Sequence, residues 1–76
     1  MNLADAAEAI LREHRGSPLH SKDIATEAIE KGLISPQSKT PWVYVAAAIR
    51  KDTRRRRQQG EKARFTSDGN GRYSLQ

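Results

Sequence analysis

Arg54, Arg55, Arg56 and Arg57 are four consecutive arginines, and Arg50, Lys51 and Lys39 precede them within one stretch, KTPWVYVAAAIRKDTRRRR, from Lys39 to Arg57. Guanidinium groups are planar, permanently charged and suited to bidentate bonds with phosphate oxygens. The chemistry on offer is therefore the binding of a polyanion. The bland alternative is a solvated, poorly ordered basic loop.

Charge distribution favours the first reading. The chain of 76 residues carries a formal charge of +5. Residues 1 to 38 hold four basic and six acidic side chains, a balance of −2, whereas residues 39 to 76 hold ten and three, a balance of +7. Such asymmetry predicts one electropositive surface, as a nucleic-acid partner requires.

Other chemistries find little support. There is no cysteine, so neither a disulfide framework nor a thiolate metal site is expected. His14 and His20 fall near helix ends, where a helix-face or capping role accounts for them. Asp52, Glu61 and Asp68 are scattered and lack the paired carboxylates and lysine of a metal-dependent nuclease. No glycine-rich phosphate cradle or nucleophile elbow is present. No catalytic residue, metal or cofactor is expected. No apolar run approaches the ~20 residues of a membrane span, and the N-terminus lacks the basic-then-apolar order of a signal peptide. The expectation is a single soluble domain without a membrane partner.

The elements that must position the basic residues follow from local signals. Thr40 reads as an N-cap and Pro41 as the first residue of a helix. Trp42, Val45, Ala46 and Ile49 recur at i, i+3, i+4 and i+7, a stripe that faces a core. Tyr44, Ala47, Arg50, Lys51 and Arg54 point away from it. Arginine residues beyond position 53 can extend this helix, and Gly60 marks a turn. Tyr44 is read either as an exposed ring near a thymine methyl, a modified base or a phosphate, or as a half-buried ring packed on the preceding helix. Ala47 is a helix former that also permits close approach to a base.

Before this stretch, Asn2 caps a first helix whose apolar positions are Leu3, Ala6, Ala7, Ile10 and Leu11, and Gly16 and Pro18 end it. Ser17 to His20 fits a short edge strand, because Pro18 cannot donate to an inner ladder. His20 or Ser21 caps a second helix with Ile24, Ala25, Ala28 and Ile29 on its apolar face. Gly32 ends it, and Leu33 and Ile34 tuck back beyond the cap. Ser35 to Lys39 is a polar connector.

After the arginines, Arg64-Phe65-Thr66-Ser67 and Arg72-Tyr73-Ser74-Leu75 alternate around Asp68-Gly69-Asn70-Gly71, a hairpin signal. Phe65 shares a face with Tyr73 and Leu75 only if paired positions sum to an even number. The loop must then be odd, three residues with a glycine bulge being expected. Arg64 and Arg72 are expected to face outward. Helix, short strand, helix, helix, strand, strand is the order of a winged helix-turn-helix, mainly α with a small β-hairpin.

AAEAIL in the first helix, SPLHSKDI before the second, KTPWVYVAAAI and the closing FTSDGNGRYSL together resemble the HARE-HTH family. These are winged helix-turn-helix domains found in chromatin-associated proteins, bacterial restriction endonucleases and the N-terminal part of the RNA polymerase delta subunit. The resemblance covers residues 3 to 75. It implies DNA binding, in some members linked to the sensing of modified bases beside nuclease domains.

On this reading residues 1–76 form one winged-helix domain, monomeric, whose boundaries suit excision from the N-terminus of a larger protein with a nuclease or regulatory domain. Its partner is double-stranded DNA. The recognition helix, 40–53, enters the major groove with Lys39, Thr40, Tyr44, Ala47, Arg50 and Lys51 near DNA. Arg54, Arg55, Arg56 and Arg57 hold phosphates, and Arg64, Asn70 and Arg72 bring the wing to an adjacent groove. A cytoplasmic, bacterial nucleoid-associated location is expected over a nuclear one. The alternative is a protein-interaction module whose basic face docks an acidic polymerase or chromatin partner.

Overall fold

The computed structural model describes residues 2–36 and 38–76. Met1 and Gln37, the latter within the expected connector, lie outside the described residues. Three helices, α1 (Leu3–Glu13), α2 (Ser21–Glu30) and α3 (Pro41–Gln58), are joined by a three-stranded antiparallel sheet made of β1 (Leu19–His20), β2 (Phe65–Ser67) and β3 (Arg72–Leu75). The order along the chain is the one the sequence predicts.

Each helix boundary has a local cause. The Asn2 side chain accepts from the Asp5 amide at 2.8 Å, capping α1. His20 Nδ1 accepts from the Lys22 amide at 3.1 Å, so the histidine caps α2. At the end of α2 the Leu33 amide donates to the Ala28 carbonyl and the Gly32 amide to that of Ile29, the paired bonds of a Schellman motif around a glycine at φ +71°. Leu33 and Ile34 return to pack against the core, as expected. The end of α3 repeats the device, with Glu61 donating to Arg56 and Gly60 to Arg57. α3 therefore runs through the whole arginine run and ends at Gln58.

One expected cap is corrected. The Thr40 side chain makes no capping bond; its backbone stands at φ −128°, ψ 61°. Instead the Ser38 hydroxyl accepts from the Thr40 amide at 3.0 Å, so the serine in the connector organises the approach to α3. Pro41 keeps its place at the start of the helix, where its missing N–H costs nothing.

Ile10, Leu11, Ile24 and Val45 are the largest fully buried side chains, and Ala6, Ala7, Ala25, Ala28 and Ile49 fill between them. Small alanines at the crossings let three short helices approach closely, which a domain of this size needs to bury enough apolar surface. Phe65 and Tyr73 complete the core from the sheet, with Trp42 and Leu75 half-buried against it.

The hairpin obeys the parity argument. Phe65 pairs with Leu75, Thr66 with Ser74 and Ser67 with Tyr73, and the Asp68 amide donates to the Arg72 carbonyl, leaving a loop of Gly69, Asn70 and Gly71. β3 is central; β1 occupies one edge, pairing Leu19 with Tyr73 and His20 with Arg72. Pro18 thus precedes an edge strand, as its lack of a donor demands.

Gly71 joins the wing to the helical part. It lies at φ +84°, its carbonyl accepts from the Ser21 amide at 3.0 Å, and a Cβ there would stand 2.8 Å from His20 Nε2. Gly69 has nearly the same φ, +82°, but faces open space. Gly69→Ala should therefore cost about 1 kcal/mol, the strain of a left-handed L-residue alone. Gly71→Ala should cost about 2–3 kcal/mol, because the His20 ring must also move. Thermal unfolding checks this, at about 4–8 °C of midpoint per kcal/mol for a domain of this size; equal midpoints for the two variants would show that the ring does not constrain the wing.

Candidate nucleic-acid interface

Val45, Ile49 and Asp52 are the buried residues of α3. Diametrically opposite, Val43, Ala47, Arg50, Arg54 and Arg57 succeed one another at three- and four-residue intervals and form a single ridge. Val43, Arg50, Arg54 and Arg57 are exposed and Ala47 is half-buried. Tyr44 and Lys51, both exposed, flank the ridge on one side. The helix that the sequence singles out is thus presented outward by the face intended.

Asp52 divides the arginine run. Its spacing from Val45 and Ile49 continues the apolar stripe, and the structure buries it at 4% exposure. A buried carboxylate must be compensated. Arg55 Nη2 donates to Asp52 Oδ1 at 2.9 Å and Arg56 Nε to Oδ2 at 3.1 Å, the two arginines lying three and four residues on and so on the same side of the helix. Arg54 and Arg57 project the other way and have no carboxylate partner among the described residues. Four consecutive charges thus divide into two bound to Asp52 and two left facing solvent.

Arg64, expected to face outward on the wing, is corrected by the structure. Its side chain is only 16% exposed and lies among three carboxylates. Nη2 and Nε donate to Asp52 at 2.6 and 3.1 Å as a fork, while Nη1 donates to Asp5 at 3.0 Å and Glu8 at 2.8 Å. Arg64 lies just before β2, its guanidinium 5.5 Å from the Phe65 ring centroid, so the alternation that predicts an outward side chain does not extend to it. The Arg64 hydrogen bond, followed by the field of Arg64 and Arg56, holds the Asp52 carboxyl below the usual aspartate range against the opposing effect of burial. Asp52 in turn raises the Arg64 pKa above its ordinary value.

Arg50, Arg54 and Arg57 line one wall of a groove between α3 and the wing, Ser67 lies on the other, and Phe65 and Tyr73 lie beneath. The wing itself adds little net charge. Arg72 is exposed, but Asp68 stands at the turn, its Oδ1 accepting from the Asn70 amide at 2.7 Å and the Arg72 amide at 3.2 Å. Those backbone bonds, Asn70 first, hold the Asp68 carboxyl below the usual range. Asn70 is exposed at the tip.

Tyr44 is 56% exposed and borders a shallow pocket with Leu3, Ile34, Ser35, Ser38 and Pro41. This exposure corrects the reading of Tyr44 as a half-buried ring. Trp42 is half-buried on the other flank, with Lys22 Nζ 4.8 Å from its ring centroid, a cation–π contact between α2 and α3. Lys39 and Thr40 are exposed beside the leading end of the ridge. Val43 is a ridge residue that the sequence reading missed, although its spacing from Ala47 and Arg50 is the signal that finds it.

Three helices, with the second and third forming a helix-turn-helix-like pair, and a hairpin closing a small sheet with the strand before α2, define a winged helix-turn-helix domain. The HARE-HTH family model, whose description names ASXL proteins and a restriction endonuclease HTH domain, matches residues 1–76. The chain belongs to the HARE-HTH family, a family of DNA-binding helix-turn-helix domains. No curated protein and no solved structure matches the chain.

The Asp52 cluster makes a prediction about acid stability. A carboxyl whose folded pKa is depressed adds stability that is complete above its unfolded pKa of about 3.9 and is lost as pH falls through the lower folded value. Asp52→Asn should lower stability at neutral pH by about 3 kcal/mol, since it leaves Arg64 and Arg56 short of a charge partner in a buried site. It should also flatten the decline of stability below about pH 4 relative to the parent. Urea unfolding across pH 2.5 to 7 checks both; parallel acid limbs for the two proteins would remove Asp52 from the cause.

Proposed function

We propose that this domain binds double-stranded DNA with α3 in the major groove and one phosphate strand in the groove between α3 and the wing. The observation that carries the reading is the ridge opposite the core, where Arg50, Arg54 and Arg57 are exposed and without a carboxylate partner among the described residues. Along the helix axis they step by about 6 Å and about 4.5 Å. A recognition helix in the major groove and a ribbon beside the minor groove must straddle the strand that separates the two grooves. That strand is where these guanidinium groups point.

Lys39 and Lys51 extend the cationic surface at either side. Thr40 and Tyr44, at the leading turn, are placed to donate hydroxyl hydrogen bonds to phosphate, contacts that fix register without reading sequence. Asn70 and Arg72 bring the wing tip near the adjacent groove, with Asp68 limiting the charge it adds. Phe65 and Tyr73 are buried beneath the groove and so offer no stacking face for unpaired bases within it.

Five cations, Lys39, Arg50, Lys51, Arg54 and Arg57, each neutralising one phosphate, give an expected slope of log affinity against log salt near −4 to −5. Fluorescence anisotropy with a random-sequence duplex over 50–200 mM salt measures it. Arg54→Ala and Arg57→Ala should each weaken binding to all sequences alike and make the slope shallower by about 1. Arg55→Ala should change the slope less than either, because Asp52 draws that side chain away from the ridge. An absence of salt dependence in the parent, or a larger loss from Arg55→Ala than from Arg54→Ala and Arg57→Ala, would overturn the assignment.

A further inference from the structure

Two steps in the wing loop set a glycine directly after a residue with a side-chain carbonyl, Asp68-Gly69 and Asn70-Gly71. Such a step holds a latent reaction. The amide nitrogen of the glycine can attack the side-chain carbonyl carbon of the residue before it and close a succinimide ring, and with no Cβ on the glycine nothing crowds the approach. Whether the reaction runs depends on what holds each amide.

The fold locks the first step and leaves the second open. The Gly69 amide donates to Ser67 Oγ at 3.2 Å, while Asp68 Oδ1 accepts from the Asn70 amide at 2.7 Å and the Arg72 amide at 3.2 Å. Those bonds hold Asp68 as a carboxylate, a form that resists nucleophilic attack. Asn70 is different. Its side chain is exposed and neutral, and of the amides of residues 69 to 72 that of Gly71 alone has no acceptor among the described residues. Asn2, the other asparagine of the chain, commits its Oδ1 to the Asp5 amide at 2.8 Å and precedes the bulkier Leu3.

We infer that Asn70 is a site of spontaneous modification in the folded protein, losing its side-chain amide to become aspartate or isoaspartate. The Gly71 nitrogen gives its proton to solvent base as it bonds to Asn70 Cγ; the bond between Cγ and Nδ2 breaks, and Nδ2 takes up a proton and leaves as ammonia. Water then opens the ring. Attack at Cγ restores the ordinary main chain with an aspartate, whereas attack at the backbone carbonyl carbon leaves the chain running through the side chain, longer by a methylene. One water is consumed and one ammonia released, with no change of oxidation state. Either product adds a negative charge beside Asp68. The β-linked product also strikes the joint of the wing, because the Gly71 carbonyl accepts from the Ser21 amide at 3.0 Å and a longer chain just before it carries that carbonyl away.

Incubation of the folded protein in mildly alkaline buffer tests this, with peptide mass spectrometry for the site and methylation by an isoaspartyl methyltransferase for the β-linked product. Asn70 should convert, gaining the mass of an amide NH2 replaced by OH, at a rate within about tenfold of that in the urea-unfolded chain; a wider gap means more than about 1.4 kcal/mol of protection. Asn2 and Asp68 should stay intact over the same time, and Asn70→Ser should abolish both signals. The isoaspartyl fraction should melt about 4–8 °C below the parent, for one lost hydrogen bond, while Asn70→Asp, which adds the charge without the extra methylene, should keep the parent's midpoint. Native conversion more than about tenfold slower than in the unfolded chain, or conversion at Asn2 or Asp68 as fast as at Asn70, would overturn the site. An isoaspartyl fraction that melts with the parent, or Asn70→Asp melting as low as that fraction, would overturn the effect on the wing joint. Each readout is independent of DNA binding.

Discussion

The bidentate bond between Arg64 and Asp52 is the constraint on which the rest depends. Arg64 precedes β2, Asp52 lies on the buried side of α3, and the remaining nitrogen of the guanidinium reaches Asp5 and Glu8 on α1. One side chain thus holds the wing, α3 and α1 in a fixed relation. A hydrophobic core of alanines, isoleucines and leucines is weakly directional. Charge-assisted bonds with fork geometry supply direction, because a small rotation of the wing would break two of them together.

Asp52 also governs what the protein shows to solvent. Its carboxylate gathers Arg55 and Arg56 to the side where Arg64 arrives, and Arg54 and Arg57 are left on the opposite side with Arg50. Net charge alone would assign all four arginines to one patch. Helical geometry and one buried acid separate them, leaving a narrow row where a diffuse cloud would otherwise be expected. Further interactions brace the helices beneath it: His14 Nε2 meets the Glu27 carboxylate at 2.9 Å, Lys31 pairs with Glu13, and Lys22 covers Trp42.

The ridge changes character by residue type, cationic toward its C-terminal half and small or apolar toward its N-terminal half. The wing, where Asp68 offsets Arg72, contributes Ser67 to the far wall of the groove. Its position is secured at Gly71, where the absent Cβ makes room for the His20 ring that also caps α2. Helix cap and wing therefore share one histidine.

Much of the architecture is legible in the residues themselves. Asn2, His20, Pro41, Gly32 and Gly60 act through neighbours within a few positions, so their effects need no knowledge of the fold. The even pairing of the hairpin follows from the two-residue period of a strand and the need to bury Phe65 with Tyr73. Periodicity likewise presents Arg50 and Arg54 outward. The partner of an outward residue is another matter. Alternation predicts an outward Arg64, yet it precedes β2 and packs over Phe65, and the three carboxylates that receive it lie 12, 56 and 59 positions away. The Ser38 bond to the Thr40 amide is local, two residues apart, and Ser38 in place of Thr40 is a missed local signal rather than a tertiary effect. What the chain alone determined is which faces exist; tertiary structure decided which charges on them neutralise one another, because electrostatic compensation acts between elements that only folding brings together.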